Sequence, residues 1–319
     1  MRIVFLVGVV VALVAGGTTV VGLRLYAAPG PLGEATDLVV PHGGLDAVGD
    51  ALAVAGVIRS RLAFRLVAVL TSAKGPLHAA ELRFPSHASL AMVLHVLREA
   101  RPVQHKVTIA EGLEAAQIAV LLARQGTLLA GDLPVPEEGA LLPETYIFER
   151  GMAVTALEAR ARLAMRREVA AAWAERAGGL PLRTPQEAVV LASIVEHEAR
   201  LPPERPMIAR VFLNRLAAGM RLQADPTVAY GVEGGLGVLP RPLDREDLAR
   251  VDGYNTYVIP GLPVGPICSP GIASLRAVLH PASGHALYFV ADGTGGHVFS
   301  DTLSQHHANV SRYRTRSAQ

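Results

Sequence analysis

The amino-acid sequence predicts an α+β protein. It has an apolar N-terminal transmembrane helix, a small β-α-α-β subdomain, and a mixed α+β domain around a buried central helix. Three observations carry this. Short runs of strand or helix periodicity are punctuated by 31 Gly and 22 Pro in 319 residues, which calls for many ordered turns. Ile3 to Leu23 holds no charged residue, a length that matches the hydrocarbon core of a bilayer at helical rise. From Ala188 to Val195 every residue but Ser193 is apolar, so a helix there is buried on nearly all sides.

Composition narrows the function classes. The chain is long enough for two domains, and with half its residues apolar and 18% charged it is globular rather than disordered. A net charge of +2, 5% aromatics and the lack of a long basic block argue against nucleic acid as a partner. One cysteine, Cys268, excludes an internal disulfide and a cysteine-based metal site.

Taken in order, residues 1–27 read as a membrane anchor with its flank. A cleaved signal peptide is the competing reading, but Tyr26-Ala27-Ala28 is a poor cleavage site and the apolar run is long for one. Arg2 and Arg24 flank the span evenly, so charge leaves its orientation open. Residues 28–36, rich in Pro and Gly, form a linker. Leu38 to Ile58 reads as strand, Gly turn and helix, and Val107 to Leu128 repeats that plan. Between them fall a helix around Arg61 to Ala73, a strand around Ala80 to Phe84 and a helix around Ser89 to Ala100. Glu137 to Gly151 contains a strand in which Tyr146 and Phe148 alternate with Thr145 and Ile147, and Ala153 to Ala177 is a long helix closed by Gly178-Gly179.

The central helix opens on Thr184-Pro185-Gln186-Glu187, with a hydroxyl N-cap, Pro in first position and Glu three residues on. Its last turn carries Glu196 and Glu198, which lie about 200° apart around the axis and cannot both face one pocket. Either can be an acid with a raised pKa, the other pairing with Arg200, Arg210 or Arg215, or both can be ion-paired; periodicity does not choose. A zinc reading of His197-Glu198 needs a second His where Leu201 stands, and His280, His285, His297, His306 and His307 lack paired helical spacing, so no metal is expected. A second helix, Pro206 to Ala218, and a polar loop, Arg221 to Thr227, complete the unit. Beyond it, Gly231 to Leu239 reads as a mobile loop beside the cleft. A helix over Ile272 to Leu279, a hairpin turning at Asp292 to Gly296 and a closing helix from Leu303 to Arg314 follow.

Several ordered blocks carry a family likeness: Glu111-Gly112-Leu113, Glu138 to Phe148, LASIVEHE at Leu191 to Glu198, RVFLNRLAAGMRLQADPTVAYG at Arg210 to Gly231, YNTYVIPGLPVGPI at Tyr254 to Ile267, and YFVADGTGGHVFS at Tyr288 to Ser300. Together they resemble the endolytic murein transglycosylase family (MltG/YceG-like). The resemblance implies a LysM-like subdomain over residues 37–105 and a YceG-like catalytic domain over 106–319. It also implies a lyase that cuts the MurNAc-β-1,4-GlcNAc bond of nascent peptidoglycan strands without water and leaves 1,6-anhydro-MurNAc ends. The family's acid, taken as the first of the E-x-E pair, falls on Glu196, with Glu198 as a secondary carboxylate.

One carboxyl suffices for this chemistry, because the sugar's own 6-hydroxyl replaces the external nucleophile of an ordinary glycosidase. Asn214, Gln223, Asp225, Thr227, Tyr254, Asn255 and Tyr257 are the candidates for holding the sugars. No cofactor is implied. The expected partners are glycan strands, the membrane and peptidoglycan synthases (penicillin-binding proteins). The expected location is the cell inner membrane, single-pass, with the N-terminus cytoplasmic and the catalytic domain periplasmic. A scaffold recruiting wall synthases and a hydrolytic muramidase are the alternatives. Val264, Ser269 and His307 depart from the family pattern, all outside the E-x-E unit.

Overall fold

The computed structural model describes residues 22–129, 131, 134–237 and 239–317. The expected anchor lies outside them up to Val21. Among the described residues no helix is long and apolar enough to cross a membrane. The chain divides into two compact units between His105 and Lys106.

The first unit has the order β1 (Thr36–Val39), α1 (Leu45–Val54), α2 (Arg61–Leu70), β2 (Glu81–Phe84) and α3 (Leu90–Glu99). β1 and β2 pair antiparallel with Asp37 opposite Arg83. The two side chains make a bidentate contact at 2.7 Å on each arm, which fixes the register. Ser60 and Ser89 cap α2 and α3 by accepting the backbone N–H of Ala63 and Met92. The helices bury Leu52, Phe64, Val93 and Leu97 against Leu82 and Phe84 of β2. The strand–helix–helix–strand order with a further helix is the one that the hydrophobic periodicity calls for, though α2 stops at Leu70 and a 3₁₀ turn takes Ser72–Lys74.

The second unit is held together by one helix. β3 (Gln104–Thr108) and β4 (Thr145–Glu149) form a two-stranded ribbon, with α4 (Ala115–Ala123) between them in sequence and α5 (Val154–Ala174) after them. α6 (Pro185–Glu198) follows, capped by the Thr184 hydroxyl accepting from Glu187 N–H at 3.2 Å. Residues Ala188 to Val195 are all buried. α7 (Arg205–Ala217), α8 (Asp225–Glu233) and α10 (Ile272–Leu279) pack directly on α6, with the short α9 (Arg245–Ala249) between the last two in sequence. The shared core contains Leu191, Ile194 and Val195 of α6 with Ile208, Phe212 and Leu213 of α7 and Val278 of α10.

Ser193, the one polar side chain in the buried run of α6, has both hydrogen-bonding roles filled. Its hydroxyl donates to Val190 O at 2.8 Å and accepts from Ile267 N–H at 3.0 Å. That second bond ties the turn-rich loop before α10 to the central helix. The chain ends in a hairpin, β5 (Tyr288–Ala291) against β6 (His297–Ser300), followed by α11 (Leu303–Ser317). The architecture is mixed α+β, with three two-stranded sheets among the described residues and helices forming the cores.

Candidate active site

The last turn of α6 separates its two glutamates as the angular spacing demands. Glu196 is committed to the frame. Its carboxylate accepts from Arg205 at 2.7 Å and from the backbone N–H of Gly271 at 2.9 Å, and its side chain is 6% exposed. Arg205 also reaches Glu111 at 3.5 Å. A Cβ at position 271 would lie 1.9 Å from Glu111 Oε1, so a side chain there would have to displace the Glu111 carboxylate. Both oxygens of Glu196, the residue to which the family resemblance points as the acid, are occupied by partners inside the fold.

Glu198 has the opposite surroundings. Burial, then the nearby Asp225 carboxylate, push its carboxyl up to about 7, against the opposing pull of Arg215. It lines two cavities at once. One, of about 300 Å³, is shared with Arg215, Gln223, Asp225, Tyr257 and His306. The other, of about 480 Å³, is shared with Arg200, Asp225, the glycine-rich hairpin turn and His297.

The first cavity is preorganised. Arg215 is pinned by donating to Leu287 O at 2.7 Å and Leu222 O at 2.6 Å, and its guanidinium lies 5.4 Å from the Tyr288 ring centre. The Tyr257 hydroxyl donates to Asp225 at 2.6 Å, and burial together with that carboxylate raises the phenol. Gln223 holds a left-handed backbone, φ 50°, fixed by its N–H donating to Thr256 O at 3.1 Å. His306 stacks on Tyr288, and burial lowers its pKa, which favours the neutral ring.

Of the seven sugar-holding candidates, the structure brings Gln223, Asp225 and Tyr257 together beside Glu198. The others serve the frame. Thr227 is fully buried, its hydroxyl within 2.7 Å of Ala224 O and 2.8 Å of the Thr256 hydroxyl. Asn214 donates to Gly284 O and Ala286 O, which anchors the segment leading into β5. Tyr254 is half-buried against Tyr230, with ring centres 4.7 Å apart. Asn255 is fully buried and its amide donates to the carbonyls of Asp247, Leu248 and Arg250. Asn255→Ala therefore removes one donor from each of three carbonyls at the end of α9, of which Asp247 O keeps the Arg250 N–H. It is expected to cost about 2–3 kcal/mol, read as a lower thermal unfolding midpoint. Arg215, His297 and His306 are the site residues that sequence reasoning did not assign to the cleft. In the sequence the two histidines bear only on metal spacing, and Arg215 reads as an ion-pair partner for a glutamate of the central helix.

A partly buried carboxyl with a raised pKa, set between two open polar cavities in an α+β domain, has the surroundings that general-acid chemistry calls for. The sequence pattern of the YceG-like family matches residues 38–312, and the chain belongs to that family. Among its relatives, the endolytic murein transglycosylase of Bacillus subtilis (strain 168) is 40% identical over 125 residues, 39% of this chain and 34% of that protein. The endolytic murein transglycosylase of Streptococcus pneumoniae (strain D39) is 31% identical over 209 residues, 61% of this chain and 37% of that protein. The chain thus matches little more than a third of the length of these relatives. The crystal structure of a YceG-like protein from Listeria monocytogenes superposes with a TM-score of 0.53 at 25% identity, covering 86% of this chain and 98% of that one.

Proposed function

We propose that this chain is a membrane-anchored endolytic peptidoglycan transglycosylase, and that Glu198 is its acid and base. The observation that carries the reading is the Glu198 carboxyl, raised to about 7 and lining both cavities. An enzyme that cuts within a strand needs sugars on both sides of the scissile bond, and the acid must stand between them. A pKa near neutrality keeps a useful fraction of the group protonated at working pH.

In this mechanism Glu198 gives its proton to the glycosidic oxygen as the C1–O bond of MurNAc breaks and GlcNAc leaves. The 6-hydroxyl of the same MurNAc attacks C1, and its proton passes to the Glu198 carboxylate. The anhydro ring closes, the acid is regenerated, and no water is consumed. Proximity makes the intramolecular attack competitive with bulk water. Tyr257, Asp225 and Gln223 supply donors and acceptors for sugar hydroxyls and acetamido groups. Arg215 offsets the negative charge on Glu198 after it has released its proton.

Residues 1–27 would hold the protein in the inner membrane in a single pass, N-terminus cytoplasmic, with the second unit in the periplasm. Nascent strands and the penicillin-binding synthases that extend them are then within reach, and cleavage ends elongation.

The test is digestion of uncrosslinked glycan strands followed by mass analysis of the ends. Anhydro ends, lighter than reducing ends by one water, are expected. Reducing ends would make the protein a hydrolytic muramidase, and binding without cleavage would make it a scaffold.

A further inference from the structure

The larger cavity beside Glu198 contains a second oriented group. His297 opens β6 and lines this cavity. Its Nδ1 lies 2.7 Å from Glu204 Oε2, and its backbone N–H donates to Glu204 Oε1 at 2.8 Å. Glu204 comes from the 3₁₀ turn Pro202–Glu204 that leads from the end of α6 into α7. It presses so closely on the hairpin that a Cβ on Gly296 would lie 2.7 Å from Glu204 Oε1. The hairpin turn is stiffened from within, since Asp292 accepts from the N–H groups of Thr294 and Gly296. Phe289 meets the imidazole edge-on, with ring centres 5.2 Å apart. The ring is thus held at one nitrogen and along one face, and is 12% exposed.

A carboxylate only accepts hydrogen bonds, so a proton sits on Nδ1, and in the neutral ring Nε2 keeps its lone pair. Nε2 has no partner among the described residues. An oriented imidazole with a free acceptor, in a cavity that shares its lining with a general acid, suits a ligand that offers hydroxyl or amide N–H donors.

We propose that His297 holds the glycan on one side of the scissile bond, its Nε2 accepting from a sugar hydroxyl or an acetamido N–H, and that Glu204 is the positioning residue that sets its tautomer. This rests on the reading of Glu198 as the acid of the same cleft. It adds a specificity element from the C-terminal hairpin to a site built on α6 to α8. Glu204→Gln is the sharpest probe. The amide oxygen can still accept the backbone N–H of His297, but the amide NH₂ donates to Nδ1 and moves the ring proton to Nε2, turning the acceptor into a donor.

The experiment uses the full chain carrying Glu198→Gln, so that strands bind without turnover, and calorimetric titration with a peptide-free GlcNAc–MurNAc octasaccharide. His297→Phe keeps the contact with Phe289 and removes the acceptor; His297→Gln restores an acceptor at about the position of Nε2. Binding should weaken roughly tenfold in His297→Phe and in Glu204→Gln, without adding in the double variant, and recover in part in His297→Gln. Nitrogen NMR of the imidazole should report the proton on Nδ1 in the parent and on Nε2 in Glu204→Gln. Unchanged affinity in both variants, or loss in Glu204→Gln with the tautomer unmoved, overturns the proposal while leaving the assignment of Glu198 intact. Continued cleavage by the Glu198→Gln chain overturns that assignment. A Glu198→Gln chain with no affinity for the octasaccharide sinks the cleft reading and this proposal together.

Discussion

Glu198→Gln should remove strand cleavage, lowering kcat by roughly a thousandfold, the scale of a lost general acid, while the chain stays folded. The amide keeps the size of the carboxyl but has no proton to give to the glycosidic oxygen. Wild-type kcat should fall as pH rises through about 7, because the reacting form is the protonated one and burial places its loss there. Stability should move with the same proton. Between its ordinary carboxyl range and about 7, Glu198 is protonated in the folded chain and ionised in the unfolded one. The folded state therefore binds the extra proton, and stability declines as pH rises across that window and then levels off. Glu114, raised to about 7 by burial and then by Glu233 and Glu138, contributes a slope of the same sign. Glu198→Gln should remove its share of that slope and be relatively more stable than wild type at pH 8 than at pH 5. Denaturant midpoints measured across pH check this. A variant with full activity, or a pH slope identical to that of wild type, rules out Glu198 as a buried acid.

Local rules read most of the fold. The Thr184 cap, the Pro that follows it and the apolar run from Ala188 to Val195 suffice to place a buried helix, and the cap bond and burial are where those residues require them. The same helical geometry separates Glu196 from Glu198 by slightly more than a half-turn. Which of them meets the cleft depends on distant parts of the chain. Gly271, 75 residues on, and Arg205 at the start of α7 close over Glu196. Asp225 and Tyr257 come to the other side. Polar residues within a family-like block carry a related ambiguity. Thr227 and Asn255 look suited to sugars, yet a buried backbone must also be hydrogen-bonded, and these side chains are fully used in doing so. His297 was invisible to a search for metal spacing because its partner, Glu204, lies 93 residues earlier in the chain.

Glu196→Ala should be the most damaging change to stability in this corner, and should do less to the chemistry than Glu198→Gln. The Glu196–Arg205 pair is well removed from water, the two side chains being 6% and 14% exposed. Removing the carboxylate leaves Arg205 with only the longer contact to Glu111 at 3.5 Å, and leaves the Gly271 N–H without its acceptor. Breaking one half of a buried pair costs about 3–5 kcal/mol, and thermal unfolding should register a drop on the order of 10 °C. The remaining folded molecules should keep kcat within about tenfold, because the acid at position 198 is untouched. Replacing both partners, Glu196→Leu with Arg205→Met, should restore much of the lost stability, since no charge is then stranded. The opposite outcome, a stable Glu196→Gln chain that has lost cleavage altogether, would return the acid to Glu196 and make its pairing with Arg205 a resting arrangement that substrate must break.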